Sequence, residues 1–271
     1  MNICAILPAA GLGQRFAAGD AAAASKIEFE LQHKPVFLHA VEALRSVDFV
    51  GQILLAVHPD RLDDFRFRWE DKLGFLQVDL VAGGTAERWE TVKLALDRVE
   101  PLATHVAVHD AARPVVSPEL LHRLFEAAQT LPAVVPGLPV SSTLKRVGEP
   151  EPVAGDRVDD ILGLETAPTA DARPVLDTAD RRDLVAVQTP QVFEADLLRR
   201  AYAQDLSGLA PTDDAGLVEQ LGETVHVIEG DPGNLKITHP GDVELAEALL
   251  SHRRQAVAEQ KAVDLFGDED D

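Results

Sequence analysis

Short apolar runs alternate with amphipathic stretches along most of this 271-residue chain. The runs that predict buried strands are Ile3–Leu7, Ile53–Val57, Val78–Val81, Val106–His109, Ala133–Val135, Leu184–Val187 and Val225–Ile228. The stretches that predict helices are Val36–Leu44, Pro59–Trp69, Trp89–Val99, a segment opened by Ser117-Pro118-Glu119, and Asp242–Arg254. Strands that alternate with helices are typical of repeated βα units, so we expect an α/β fold with a mainly parallel sheet flanked by helices.

Three segments depart from this alternation. From Gly148 to Asp180 the chain is rich in Pro, Asp, Glu and Ala and has little periodicity. Such a long irregular excursion inside a compact domain is usually functional or mobile. Ala17–Ala24 consists almost entirely of Ala and Gly, and Ala256–Asp271 ends in acidic residues typical of a disordered tail. We therefore expect one domain over residues 1–255 and an acidic tail over residues 256–271.

Composition and charge narrow the class of function. The net charge is −21, and a globally acidic chain repels nucleic acid. The basic residues that matter should then be few and directed at a small anionic ligand. The single cysteine, Cys4, lies in an apolar run, which predicts a buried thiol and a reducing, cytoplasmic compartment. The segment Met1–Leu7 lacks a basic region and breaks at Pro8, so we expect neither a signal peptide nor a membrane span.

A glycine loop, Pro8–Arg15, directly follows the first predicted strand. Gly11 and Gly13 allow the backbone to approach a ligand closely and to turn N–H groups towards anions. Arg15 adds a bidentate phosphate donor, and Lys26 could supply a second cation. The loop is neither a P-loop nor a dinucleotide fingerprint. A tight strand-to-helix turn with surface cations would have the same pattern.

The segment Val106–Pro114 places Asp110 at the end of a predicted strand, with Arg113 close behind. In open α/β sheets the carboxyl ends of strands line the ligand crevice, where an Asp suits magnesium or a substrate hydroxyl. The alternative is an Asp that caps a helix and pairs with Arg113. His109 is expected to be a packed histidine and not a general base.

Three further segments could contribute to a site. Lys236 lies in a short apolar stretch that predicts a strand, where it could neutralise a phosphoryl group or protect a sheet edge. Gly83, Gly84 and Thr91 fall between a strand and a helix and could seat a base, or could form only a connecting loop. Thr189, in Gln188-Thr189-Pro190-Gln191 between a predicted strand and a helix, is a plausible phosphate donor.

Taken together and in this order, the motifs from Ile3 to about Leu250 resemble the 2-C-methyl-D-erythritol 4-phosphate cytidylyltransferase family. The matching patterns are P-A-A-G-x-G-x-R, G-G followed by Arg, V-H-D-A-A-R-P, T-P-Q-x-F and N-x-K-x-T. The resemblance implies a Rossmann-like fold with an extended dimerisation arm at about residues 138–183. It also implies transfer of CMP from CTP to the sugar-alcohol phosphate, with release of pyrophosphate, Mg²⁺ on the triphosphate, and a homodimer.

The resemblance also implies a role for each matching residue. Catalysis would fall to Arg15, Lys26 and Lys236, which stabilise the triphosphate and the α-phosphorus. CTP would be bound by Ala9, Ala10, Gly11, Gly13, Gly83, Gly84, Thr91 and Ala111. The polyol phosphate would be held by Asp110, Arg113, Thr143, Arg181 and Thr189, with Asp110 also a candidate metal ligand. In the family, the residues at the positions of Thr143 and Arg181 reach into the partner's site.

The chain departs from the family pattern at several positions. Ser25-Lys26-Ile27 replaces Pro-Lys-Gln, extra residues separate Arg15 from Lys26, and Thr91 stands where serine is usual. The arm is also longer than usual. Two alternatives follow: a cytidylyltransferase for another polyol phosphate, such as ribitol 5-phosphate, and a non-catalytic nucleotide-binding regulator.

Overall fold

A computed structural model of the protein describes residues 1–11, 26–152, 171–206 and 211–266. Gly13, Arg15, the Ala17–Ala24 stretch and most of the Gly148–Asp180 excursion lie outside these residues. The chain divides into two compact units. The larger consists of Met1–Gly137 with Val187–Asp271, and the smaller, called the arm from here on, is Leu138–Ala186.

Eight strands of the described residues form one sheet, and they confirm the predicted mainly parallel α/β architecture. They are β1 (Ile3–Ala9), β4 (Val50–Val57), β5 (Val78–Ala82), β6 (His105–Val108), β7 (Ala133–Pro139), β12 (Val185–Val187), β13 (Gln191–Glu194) and β14 (His226–Glu229). The strand order is β12-β7-β13-β6-β1-β4-β5, with β14 also paired to β7. Strands β1, β4, β5 and β6 pair in parallel, whereas β13 runs antiparallel to both β6 and β7.

The helices that flank the sheet begin at residues suited to that position. They are α1 (Val36–Arg45), α2 (Leu62–Phe75), α3 (Arg88–Leu96), α4 (Pro118–Ala128), α5 (Ala195–Tyr202), α6 (Asp214–Gln220) and α7 (Gly241–Phe266), with a 3₁₀ turn at Pro59–Arg61. Ser117 accepts the N–H of Leu120 at the start of α4, as expected of an N-cap. Asp242 accepts the N–H groups of Thr238 and His239, and α7 runs past the predicted end at Arg254 to Phe266.

Alternation along β1 builds both layers of the core. Ile3, Ala5 and Leu7 pack in one cluster with residues of α1, α2 and α4. Cys4 and Ile6 point to the opposite face and pack with residues of α3, α5 and α6. A strand that is apolar on both faces requires helices on both sides. Cys4 is therefore buried, as predicted, and burial raises the pKa of its thiol to about 12.

Two local predictions are wrong. Gln191 begins a strand, β13, and not a helix, and this strand lies between β6 and β7 in the sheet. Lys236 does not lie in a strand, because the neighbouring N–H groups bond elsewhere. Leu235 donates to the carbonyl of Gly233 and Ile237 to that of Ala112. The segment is a loop that follows the Asp231–Gly233 turn.

Short antiparallel pairs make up the remaining strands. In the larger unit, β2 (Glu30–Leu31) pairs with β3 (Lys34–Pro35) just before α1. In the arm, β8 (Leu144–Val147) pairs with β11 (Val175–Ala179), and β9 (Glu151–Pro152) pairs with β10 (Asp171–Ala172). Across the described residues, none of the helices combines the length and apolar character needed to cross a membrane.

Candidate active site

The candidate site lies at the carboxyl ends of the parallel strands. Ala9 at the end of β1 is level with Val57 of β4, which is level with Ala82 of β5. One strand over, the N–H of His109 bonds to the carbonyl of Ile6 at 2.9 Å, just beyond the end of β6. The residues that follow these strands therefore meet along one edge, where open α/β sheets bind ligands.

The Gly83–Gly84 pair packs tightly between Ala10 and helix α3. A Cβ atom on Gly83 would lie 2.7 Å from Cγ2 of Thr91 and 3.1 Å from Cβ of Ala10. The hydroxyl of Thr91 accepts the N–H of Gly84 at 3.1 Å, and Thr91 is buried. Thr91 thus fixes the shape of the glycine turn, and Ala10, directly after β1, lies beside that turn.

The carboxylate of Asp110 is surrounded by cations. Its Oδ2 lies 2.8 Å from Nζ of Lys236 and 3.7 Å from Nε of Arg113. Its Oδ1 lies 3.2 Å from Nε of Arg88, whose Nη2 also contacts Oδ2 of Asp214 at 2.8 Å. We call these five residues the Asp110 cluster. Three cations against two carboxylates give the cluster one net positive charge in a chain whose net charge is −21.

The charged groups of the Asp110 cluster shift one another's pKa values. Burial alone would raise the pKa of Asp110, but Arg88, Lys236 and Arg113 outweigh it and lower the pKa below its ordinary range. Burial alone would lower the pKa of Arg88, but Asp214 and Asp110 outweigh it and raise the pKa above its ordinary value. Asp110 and Arg88 are therefore both firmly charged at neutral pH.

A ring of hydrogen bonds joins the Asp110 turn to two distant segments. The N–H of Asp110 donates to the hydroxyl of Thr189 at 3.0 Å, and the carbonyl of Thr189 accepts from the Asn234 side chain at 2.7 Å. The carbonyl of Asn234 accepts from Nη1 of Arg113 at 2.8 Å, and the N–H of Arg113 returns to the carbonyl of Asp110 at 2.9 Å. The ring places Lys236, two residues after Asn234, against Asp110.

Comparison with known proteins identifies the family. Residues 3–169 and 158–252 match the family described as "IspD: 2-C-methyl-D-erythritol 4-phosphate cytidylyltransferase". A protein of that name from Acidobacterium capsulatum is 37% identical over 257 residues, which span 93% of this chain and 99% of the relative. One from Frankia casuarinae is 40% identical over 92% of this chain and 82% of the relative. The chain belongs to this family.

Solved structures agree with the sequence comparison. A crystal structure of 2-C-methyl-D-erythritol 4-phosphate cytidylyltransferase from Thermus thermophilus matches with a TM-score of 0.65 and 30% identity, covering 92% of this chain and 98% of that one. A 4-diphosphocytidyl-2C-methyl-D-erythritol synthase from Anaerococcus prevotii matches with a TM-score of 0.69 and 26% identity, at the same coverage. The protein is thus a cytidylyltransferase, and the resemblance drawn from its motifs is confirmed.

The remaining candidate residues of this cytidylyltransferase lie in three places. Ala9 and Ala111 are buried at the sheet edge, and Gly11 is exposed there. Lys26 lies in the turn before β2, where the carbonyl of Ile27 accepts the N–H of Phe37 at 3.0 Å. Thr143 and Arg181 are exposed in the arm, and Arg181 donates to the carbonyl of Ser141.

His109 is fully buried, as the sequence predicts. Its Nδ1 lies 3.1 Å from the hydroxyl of Thr189, and its Nε2 lies 3.2 Å from the carbonyl of Arg113. Burial lowers the pKa of His109 to about 4, so the ring is neutral at physiological pH. His109 supports the turn that carries Asp110. No helix starts at this turn, which excludes the interpretation of Asp110 as a helix cap.

Two charged residues of the candidate site, Arg88 and Asp214, were not predicted from the sequence. Arg88 is the arginine that follows the glycine pair in the family pattern, and Asp214 belongs to none of the matching patterns. Asp214 is fully buried, and its partner Arg88 is 126 positions away in the sequence. The sequence contains one indication of Asp214. A helix needs only one acid as its N-cap, so the second of the two adjacent acids, Asp213 and Asp214, is free for another role. Asp213 does cap α6, which leaves Asp214 for another role.

Asp110 does not fit the chemistry of a metal ligand. Both of its oxygens face cationic side chains, which would repel a divalent cation. Within the described ranges, no group of three His, Cys, Asp or Glu residues is placed to hold a metal ion. The described residues around Asp110 therefore favour the binding of anions over that of a metal ion.

Proposed function

We propose that the Asp110 cluster is the active site at which this cytidylyltransferase transfers CMP from CTP to 2-C-methyl-D-erythritol 4-phosphate and releases pyrophosphate. The observation that carries the proposal is the net positive cluster at the carboxyl edge of the sheet. Both substrates are anions that have to approach each other. A local excess of cations in an otherwise acidic protein lowers the energy of that encounter.

The chemistry follows from the substrates. A phosphate oxygen of the polyol phosphate attacks the α-phosphorus of CTP, a new P–O bond forms, and the bond to the bridging oxygen of pyrophosphate breaks. The attacking oxygen is already anionic, so no general base is required. Catalysis then consists of positioning the two phosphates in line and neutralising the charge that builds up on the oxygens around the α-phosphorus.

The proposed roles divide the site in two. On the nucleotide side, Arg15, Lys26 and Lys236 stabilise the triphosphate, while the Gly83–Gly84 turn seats cytidine beside the first loop. On the acceptor side, Asp110, Arg113 and Thr189 line the described turn, and Thr143 and Arg181 join them from an arm. A divalent cation of the kind the family uses, such as Mg²⁺, would be bound by the triphosphate oxygens of CTP, because both oxygens of Asp110 already pair with cationic side chains.

We infer that the working form is a homodimer joined through the arm. The arm exposes several apolar side chains, with Val175 at 59% and Leu176 at 62% exposure. Exposed apolar residues that lie close together are typical of an interaction surface. A partner's arm would then bring its Thr143 and Arg181 to the acceptor side.

We also place the reaction in the cytoplasm. The only cysteine, Cys4, is buried in the core as a free thiol, which suits a reducing compartment.

The direct test is release of pyrophosphate from CTP and Mg²⁺ with a panel of acceptors. We expect rapid release with 2-C-methyl-D-erythritol 4-phosphate and little with ribitol 5-phosphate or without acceptor. Asp110→Asn should lose most of this activity, because it removes the anion that orders three cations. Full turnover by Asp110→Asn would contradict the placement of the site. Faster turnover of ribitol 5-phosphate than of 2-C-methyl-D-erythritol 4-phosphate would show that the acceptor is another polyol phosphate.

A further inference from the structure

The guanidinium of Arg88 is shared between two carboxylates. Its Nε contacts Oδ1 of Asp110 at 3.2 Å, and its Nη2 contacts Oδ2 of Asp214 at 2.8 Å. Since an Arg–carboxylate pair readily becomes bidentate, Arg88 could engage Asp110 with two N–H groups if Asp214 did not hold one of them. The competition between the two acids therefore sets how Arg88 meets Asp110.

Asp214 is itself fixed by both its backbone and its side chain. The side-chain carbonyl of Gln191 accepts the N–H groups of Asp214 and Ala215 at 3.1 and 3.0 Å. The hydroxyl of Tyr202 donates to Oδ1 of Asp214. Asp214 is fully buried and Tyr202 nearly so, so neither side chain faces solvent. A buried carboxylate with two defined partners has one stable orientation.

We propose that Asp214 and Tyr202 are positioning residues for the transfer reaction, which hold Arg88 on Oδ1 of Asp110 and leave Oδ2 to Lys236. The proposal rests on the proposed function, because it assigns these residues a role in the Asp110 cluster. Without Asp214, Arg88 would turn fully onto Asp110 and compete with Lys236 for the carboxylate. Neither residue would touch a substrate.

The kinetic test uses Tyr202→Phe, which removes one hydroxyl, and Asp214→Asn, which removes the charge. We expect kcat to fall on the order of 10-fold in Tyr202→Phe and 100-fold in Asp214→Asn, with KM for CTP within about 2-fold of wild type. Leu198→Ala, in the buried face of the same helix as Tyr202, is the control: it should lower the melting temperature and keep kcat. In an Asp110→Asn background, Tyr202→Phe should have no further effect on kcat.

A second readout does not depend on activity. Tyr202 is the only tyrosine in the sequence, so NMR of the protein with ¹³C-labelled tyrosine gives a single ring signal. This signal reports on the contacts that run from Tyr202 through Asp214 and Arg88 to Asp110. Asp110→Asn should move this signal, because Arg88 then turns fully to Asp214 and weakens the bond that Tyr202 makes. Lys93→Ala, an exposed change on α3, should leave it in place.

The outcomes separate the two proposals. Wild-type kcat in Tyr202→Phe, or an unmoved tyrosine signal in Asp110→Asn, would overturn the positioning role while an inactive Asp110→Asn still supports the site. If Tyr202→Phe and Leu198→Ala lose kcat in proportion to their lost stability, the role is only structural and the inference is wrong. Full activity of Asp110→Asn would remove the proposed site and this inference with it.

Discussion

Among the three cations around Asp110, Lys236 is the one best placed to move to a substrate. Its side chain is 41% exposed, whereas Arg88 is 29% and Arg113 only 12% exposed. Arg113 is further tied to the carbonyl of Asn234. An exposed ammonium on a flexible stem loses little when it exchanges a carboxylate for a phosphate oxygen. Lys236 thus has a defined resting position and the freedom to reach a substrate phosphate, as its proposed catalytic role requires.

Lys236→Ala should therefore lower kcat on the order of 100-fold, the usual effect of removing one group that stabilises charge in the transition state. The Kd for CTP should rise only a few-fold, because the resting lysine is paired with Asp110. Steady-state kinetics and calorimetric titration with CTP measure the two effects. Lys93→Ala should match wild type in both, and equal losses of binding and rate in Lys236→Ala would show ground-state contact instead.

The buried His109 makes stability depend on pH. Burial lowers its pKa to about 4 from an ordinary value of 6.5, so the unfolded chain takes up a proton in a range where the native state does not. Stability is then fully present above pH 6.5 and is lost as the pH falls to 4. The free energy of unfolding of wild type should fall by roughly 3 kcal/mol more than that of His109→Gln over this range.

Urea unfolding at several pH values measures this difference. The other histidines and all carboxylates are common to both proteins, so their contributions cancel. A wild-type curve parallel to that of His109→Gln would mean that His109 becomes protonated in the folded state without cost.

The position of a single residue could be predicted where the local sequence pattern determines it. Asp110 follows a strand directly, so its position at the sheet edge follows from local pattern alone. The Arg88–Asp214 pair could not be found in this way, because its partners are 126 positions apart and no local pattern connects them. Their proximity is a product of the fold.

At the scale of elements, long periodic segments could be predicted, whereas some short ones could not. The predicted and observed ends of helix α1 agree within one residue, because its apolar positions recur over ten residues. Strand β13 has four residues between a proline and a helix, and so short an apolar run fits a helix start equally well. Around Lys236 the flanking apolar residues alternate as in a strand, yet Ile237 bonds to the carbonyl of Ala112 and builds a loop.

The glycine turn before α3 gives a prediction of its own. Gly83→Ala should weaken CTP binding about 10-fold, because its Cβ would press on Cγ2 of Thr91 and push the turn away from Ala10. Adding Thr91→Ser removes the nearest atom, keeps the hydroxyl that holds Gly84, and should restore most of the affinity. Equilibrium binding of CTP to both variants tests this.

Gly74→Ala is the matched control for that experiment. A Cβ at Gly74 meets nothing within 4 Å, so the change should leave CTP binding unaltered. If the double variant binds no better than Gly83→Ala alone, the contact with Thr91 does not set the shape of the turn.

For the whole molecule, the central question is whether one active site draws on two chains. If an arm completes a partner's site, Lys236→Ala and Arg181→Ala fall in the same site of a mixed dimer, and the other site of that dimer stays intact. Mixing the two inactive proteins under conditions of subunit exchange should then recover about a quarter of wild-type activity, since half of the dimers are mixed. Each protein mixed with itself is the control. No recovery despite exchange would place Arg181 in the site of its own chain.

The position of β13 in the sheet also orders events during synthesis. Strands β6 and β7 are complete once residue 139 has left the ribosome, yet the strand that joins them is encoded after the whole arm. Until Gln191–Glu194 emerges, the apolar residues of β6 and β7 that pair with Val192 and Phe193 lack a neighbouring strand on that side. Pairing across so many residues is slow to form. The nascent chain therefore passes through a stage with an open seam, and this is the stage at which a chaperone would serve this enzyme best.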